Sequence, residues 1–159
     1  MKILLDTSVL VSAVLPTHDH YPDSSRCMAM AQQGSVTLCL AAHSLAETYA
    51  VLTRIPTRPR ISPRAAWALT NQFLQFPQTQ LVALTADQYA ATIQDCVAVG
   101  NSGGTIYDAV IATAARNVEV DHLLTWNTRH FLRVWPTDVG CVLTPAEFLD
   151  IQAPAADAP

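Results

Sequence analysis

The four cysteines of this 159-residue chain, Cys27, Cys39, Cys96 and Cys141, form no CxxC pair and lie in apolar surroundings. That argues against a zinc ribbon or a disulfide framework and leaves buried free thiols as the expectation. No stretch approaches the ~20 apolar residues of a membrane span. The apolar N-terminus is interrupted by Asp6, and no small-residue cleavage pattern follows, so a soluble, cytoplasmic protein is expected. Basic charge is scarce as well. A net charge of −4 excludes coating of nucleic acid by bulk electrostatics, so any such contact has to be local or bridged by a metal. Gly103-Gly104 lacks the Gly-Lys-Ser/Thr continuation of a phosphate loop, no HExxH motif exists, and there is no internal repeat.

What is present is apolar. Half of the residues are hydrophobic, enough for one core, and residues 1–152 read as a single domain. The tail 153–159 holds two prolines and no large apolar group, so it reads as a disordered end. Lys2-Ile-Leu-Leu suits a buried strand, and an apolar stretch follows from Val9 to Leu15. A helix is predicted from Ser24 to Gln33, closed by Gly34, then a strand from Val36 to Leu40 and a helix from Ala42 to Arg54. Ser62-Pro63 opens a helix to about Gln75, and a strand covers Gln80 to Leu84. Thr85 to Gln88 matches a capping box whose helix runs to about Val99. Ile106 to Arg116 forms another helix, with Asn117 as a left-handed C-cap, before a strand from His122 to Thr125. Phe131 to Trp135 suggests one short turn, and a last strand near Val142 leads into the cap signature of Thr144 to Glu147. Strands alternate with helices throughout. This predicts an α/β fold, a three-layer α/β/α sandwich on a mostly parallel central sheet, with ligands outside the carboxyl ends of the strands.

Four polar residues stand inside otherwise apolar segments: Asp6 after the first strand, Glu47 in HSLAETYAVL, Asp108 in TIYDAVIATAA, and Asn127 after LLT. An ionised side chain there is costly unless it is paired or bound to a cation. Three carboxylates and an amide suit a hard metal such as magnesium or manganese, which can polarise a phosphoryl oxygen and generate hydroxide. Each residue also has a plain reading. Asp6 can cap the next helix, Glu47 can be a solvated helix position, Asp108 can favour its helix dipole, and Asn127 can form a turn.

Taken together, MKILLDTSVLVSA, AETYAVLTR, IYDAVIATAA and LLTWNTRHF resemble the PIN-domain ribonucleases, and in particular the VapC-type toxins of bacterial toxin–antitoxin pairs. Four motifs in order, over nearly the whole chain, carry the resemblance. It implies a PIN-like fold and a Mg2+- or Mn2+-dependent endoribonuclease acting on single-stranded or loop RNA. It also implies metal ligation by Asp6, Glu47 and Asp108, with Ser8 auxiliary and Thr125 and Asn127 at the rim. A small antitoxin partner and a homodimer belong to the same implication. Asn127 stands where many members carry aspartate, which removes one negative charge and keeps open the alternative of an inactive PIN-like RNA- or protein-binding module.

Arg54, Arg58, Arg60 and Arg64 make a basic segment that can guide RNA or be a solvated loop, and Arg129 and His130 can touch substrate or fix their loop. His18-Asp-His20 reads as exposed polar residues, and His43 with Glu47 makes no metal motif. Trp67, Leu69, Phe73, Leu74 and Phe76 are core or interface. A haloacid-dehalogenase-like phosphatase needs a second aspartate where Ser8 stands.

Overall fold

The computed structural model describes residues 1–136 and 140–153. Its elements are β1 (Lys2–Leu5), α1 (Thr7–Ala13), α2 (Tyr21–Gln32), β2 (Thr37–Ala41), α3 (Ala42–Arg54) and α4 (Pro63–Asn71). They continue with β3 (Thr79–Val82), α5 (Ala86–Ala98), α6 (Thr105–Asn117), β4 (His122–Leu124), α7 (Thr128–Val134), β5 (Val142–Leu143) and α8 (Pro145–Gln152). The strands form one sheet in the order β3-β2-β1-β4-β5, and every pairing is parallel. Parallel strands need crossover helices, which cover both faces of the sheet. The result is the expected three-layer α/β/α sandwich.

Alternation along β1 divides the core. Ile3 and Leu5 face one side and pack with Val9, Leu10, Met28, Phe73 and Phe148 from α1, α2, the turn after α4, and α8. Leu4 faces the other side and packs with Ile111, Ala112 and Ala115 of α6 and Phe131 of α7. A third cluster of Val11, Leu15, Leu52 and Ala66 ties α1, α3 and α4 together. Phe73 is thus core, whereas Trp67 is exposed on α4. Cys27, Cys39 and Cys96 are buried free thiols, and burial pushes the Cys27 pKa up to about 12. Among the described residues, no helix is long and apolar enough to cross a membrane.

Beyond shifts of one or two residues at other ends, four points depart from the sequence reading. α2 begins a turn earlier, at Tyr21, because Pro22 tolerates the first helical turn. α4 stops at Asn71, and a 3-10 turn from Gln72 to Gln75 completes the run. Asn117 is the last residue of α6 rather than a left-handed cap; the positive φ of 50° falls at Glu119. The turn expected at Phe131 is a seven-residue helix, α7, anchored by the fully buried Phe131. Gly34 does close α2 with a φ of 73°, a conformation that costs a side chain more than glycine. Ala153 follows α8, and residues 154–159, most of the expected disordered tail, lie outside the described residues.

Both predicted capping boxes form. In α8, Thr144 N–H and Oγ–H donate to Glu147 Oε2 at 2.8 Å each, and Glu147 N–H donates back to Thr144 Oγ1 at 3.2 Å. These bonds hold the Glu147 carboxyl below its ordinary pKa. Thr144→Ala should therefore cost about 1 kcal/mol. Urea denaturation at neutral pH checks this, and an unchanged midpoint would show that the packing of Phe148 alone holds α8.

Candidate functional site

The sheet changes direction at its centre. β1 is followed by β2 on one side and is flanked by β4 on the other, so a crevice opens beyond the carboxyl ends of β1 and β4. Asp6 directly follows β1 and Thr125 directly follows β4, and the Asp6 backbone N–H donates to Leu124 O at 3.0 Å. A cleft of about 470 Å³ fills this crevice, with Asp6, Ser8, Glu47, Asp108, Trp126 and Asn127 in its lining.

Asp6 is only 4% exposed, so its charge requires partners. Its Oδ2 accepts from Ser8 Oγ at 2.7 Å, Thr125 Oγ1 at 2.9 Å and Ser8 N at 3.3 Å. The last bond makes Asp6 the N-cap of α1, so the capping reading holds alongside any other role. Ser8 Oγ accepts in turn from Trp126 N at 3.1 Å, and Thr125 Oγ1 from Asn127 N at 2.9 Å. Two hydroxyls thus link the turn after β1 to the turn after β4. Thr125 is fully buried beneath the cleft.

Glu47 arrives from the middle of α3, where its Oε2 accepts from Thr7 Oγ1 at 2.7 Å and lies 4.0 Å from His43 Nε2. Asp108 sits in the first turn of α6 with its side chain 17% exposed, and its Oδ2 is 3.4 Å from Nδ1 of His130. In all three carboxylates the protein's contacts fall on one oxygen. Asp6 Oδ1, Glu47 Oε1 and Asp108 Oδ1 have no hydrogen-bond partner among the described residues. The groups also feel one another: burial first, and then the charge of Asp6, raises the Asp108 pKa to about 6, with Glu47 adding to the rise and His130 opposing it.

Among the described residues no three carboxylate, imidazole or thiol groups converge on a single coordination point. The donor chemistry still matches a hard divalent cation, with three carboxylates, each carrying a free oxygen, around one cleft. Asn127 stands on the rim as the N-cap residue of α7. Its side chain makes no capping bond, which leaves the amide available.

The basic candidates scatter. Arg54 lines a neighbouring groove of about 360 Å³ that shares Glu47 and Val51 with the cleft. Arg58 lines a separate concavity with His18. Arg60, Arg64 and Arg129 are exposed and line neither the cleft nor the groove. His18 and His20, read as exposed polar residues, both line the cleft; His20 is exposed and His18 half-buried. Nothing in their spacing shows that the loop after α1 folds back over Asp6. Thr7 and Trp126 also escaped the sequence reading, although both lie inside quoted motifs.

The pKa shift of Asp108 carries a pH signature. A carboxyl whose folded pKa is raised stabilises the fold below its unfolded pKa and loses that contribution as pH rises through the folded value, here about 6. Asp108→Asn should therefore gain on the parent protein, in chelator, by on the order of 2 kcal/mol between about pH 4 and pH 7. Denaturant titration of both proteins across that range measures the difference. Parallel stability profiles would contradict the coupling.

Comparison with known proteins agrees with this architecture. Residues 2–129 match the PIN domain family model. Ribonuclease VapC27 of Mycobacterium tuberculosis is 32% identical over 119 residues, covering 71% of this chain and 76% of that protein. Ribonuclease VapC40 of the same species is 31% identical over 111 residues, covering 70% and 76%. Among solved structures, M. tuberculosis VapC20, a sarcin-ricin loop cleaving toxin, superposes with a TM-score of 0.60 at 20% identity over 76% of this chain and 86% of that one. VapBC2 from Rickettsia felis, bound to a DNA fragment from its promoter, gives 0.61 at 18% identity over 91% and 98%. By sequence and by fold, the chain belongs to the PIN-domain family.

Proposed function

We propose that this protein is a metal-dependent endoribonuclease, the toxin of a type II toxin–antitoxin pair, with Asp6, Glu47 and Asp108 as metal ligands and Asn127 as an auxiliary ligand. The observation that carries the reading is the free oxygen on each of three carboxylates around one cleft at the switch point of the sheet. Magnesium or manganese bound there would polarise a phosphoryl oxygen and lower the pKa of an attacking water. The ribonuclease names of the curated relatives support RNA as substrate. VapBC2 among the structural neighbours supports a small antitoxin partner, and a homodimer belongs to the same reading.

The chain's own residues then divide the work. Ser8 and Thr125 hold Asp6 by one oxygen and so fix the direction of the other. Thr7 does the same for Glu47. His130 keeps a donor beside Asp108. Arg54, in the lining of the adjoining groove, would meet a phosphate, with Arg58, Arg60 and Arg129 as more distant electrostatic guides.

Purified protein incubated with a panel of structured and single-stranded RNAs in magnesium, manganese or chelator tests the reading. Cleavage that chelator abolishes is expected. Asp6→Asn and Asp108→Asn should each lower it roughly a hundredfold or more while the fold survives, because each removes charge that holds the cation and preserves side-chain shape. Retained RNA binding with no cut under any metal would return the protein to the alternative, a PIN-like binding module.

Asn127 gives a graded test. Asn127→Asp adds a charge beside the cation and should lower the metal concentration for half-maximal cleavage, while Asn127→Ala should raise it. Coincident metal titrations for the three proteins would remove Asn127 from the site and leave three carboxylate ligands.

A further inference from the structure

Three of the chain's five histidines line the cleft or the adjoining groove and His130 lies against Asp108; two of the four are stacked on other rings. On one side His20 lies over Trp126, with centroids 3.8 Å apart and planes 8° from parallel. On the other side Tyr107 lies over His43, at 4.9 Å and 16°. The first stack lines the cleft and the second lines the adjoining groove. Glu47 and Val51 are common to both, so the cleft and the groove adjoin at Glu47, with one stack in each.

Each stack has a half-buried inner ring and an open outer one, and in the first the inner ring is held by hydrogen bonds. The Trp126 indole donates from Nε1 to Ser24 Oγ at 2.9 Å, and Ser24 Oγ is 2.8 Å from Ser12 Oγ, both serines being fully buried. The Trp126 backbone N–H is bonded to Ser8 Oγ, which is bonded to Asp6. The indole plane is thereby tied to the position of Asp6. His20 stays exposed although Trp126 covers one of its faces, and His18, 5.5 Å away and tilted by 39°, accepts from the His20 backbone N–H at 3.1 Å. In the second stack the outer ring is Tyr107, 49% exposed, and the inner His43 is half-buried beside Glu47.

An exposed flat ring with a rigid backing suits the face of a nucleobase, and base–aromatic stacking is worth about 1–3 kcal/mol per base. Duplex RNA keeps its bases stacked on one another, so only unpaired nucleotides can use such platforms. Resting on the endoribonuclease reading above, we propose that His20–Trp126 and Tyr107–His43 are two nucleobase platforms, one on either side of the scissile phosphate. The RNA is then gripped by one unpaired base upstream and one downstream of the cut, with Arg54 beside the second base.

The test uses the intact protein with magnesium and a set of labelled oligoribonucleotides, each with one abasic position. The parent protein should lose about tenfold in kcat/KM at one abasic position on each side of the cut. His20→Ala should erase the penalty at one of these positions only, and Tyr107→Ala at the other only. His20→Phe and Tyr107→Phe should restore both penalties, which a merely structural role for either ring would not do. Cleavage of the whole abasic set at equal rates, or penalties untouched by the two alanine substitutions, would overturn the platforms while leaving the nuclease in place. No cleavage of any RNA by the parent protein in magnesium or manganese would overturn the nuclease reading and the platforms with it.

Discussion

The site depends on the burial of one carboxylate. Asp6 ends the central strand almost wholly out of water, and it is tolerable there because hydroxyls from two distant parts of the chain donate to its Oδ2. Those two hydroxyls also accept from the backbone of Trp126 and Asn127. One charge therefore fixes the path of both turns that lead out of the crevice. Replacing Ser8 or Thr125 with an apolar residue would leave Asp6 under-solvated, and the loss would spread to the rim rather than stay at one bond.

Around that residue the molecule holds like charges together. Asp108 titrates well above an ordinary carboxylate because it is buried near Asp6 and Glu47, with one exposed imidazole in partial compensation. A fold selected for stability alone would avoid this arrangement. The helices supply a small part of the remedy. Asp108 lies in the first turn of α6, where the helix dipole favours an anion. Glu47, mid-helix, relies on Thr7.

Much of the fold was legible because local signals and global architecture agree. The bounds of α3 were read without error between the end of one apolar strand and Pro56, and the capping boxes at Thr85 and Thr144 announced α5 and α8. The misreadings have a common cause in tertiary contacts. α7 is too short to advertise a period, and it exists because Phe131 is drawn into the cluster around Leu4 and Ile111. Asn117 has the propensity for a left-handed cap, yet the chain reverses two residues later, at Glu119, where Val120 N–H bonds to Ala115 O. At the site, the carboxylates stood out because charge inside an apolar run is expensive. His18, His20 and Trp126 gave no such sign, since polar loop residues and a lone aromatic are ordinary, and only the folding back of the loop after α1 brings the two histidines to the cleft, where His20 stacks on Trp126.

Asp6 and Thr125 are 119 residues apart, and the hydrogen bond between them closes the site across most of the chain. Parallel pairing of β1 with β4 has the same reach, and such distant contacts form late. During synthesis at about 5–20 residues per second, the N-terminal strand and the Glu47 helix emerge many seconds before β4 does. Until β4 pairs with β1, Asp6 lacks the Thr125 hydroxyl and the crevice lacks one of its walls. The cleft beside the three carboxylates is complete only after β4 and the turn that carries Trp126 and Asn127 have been made.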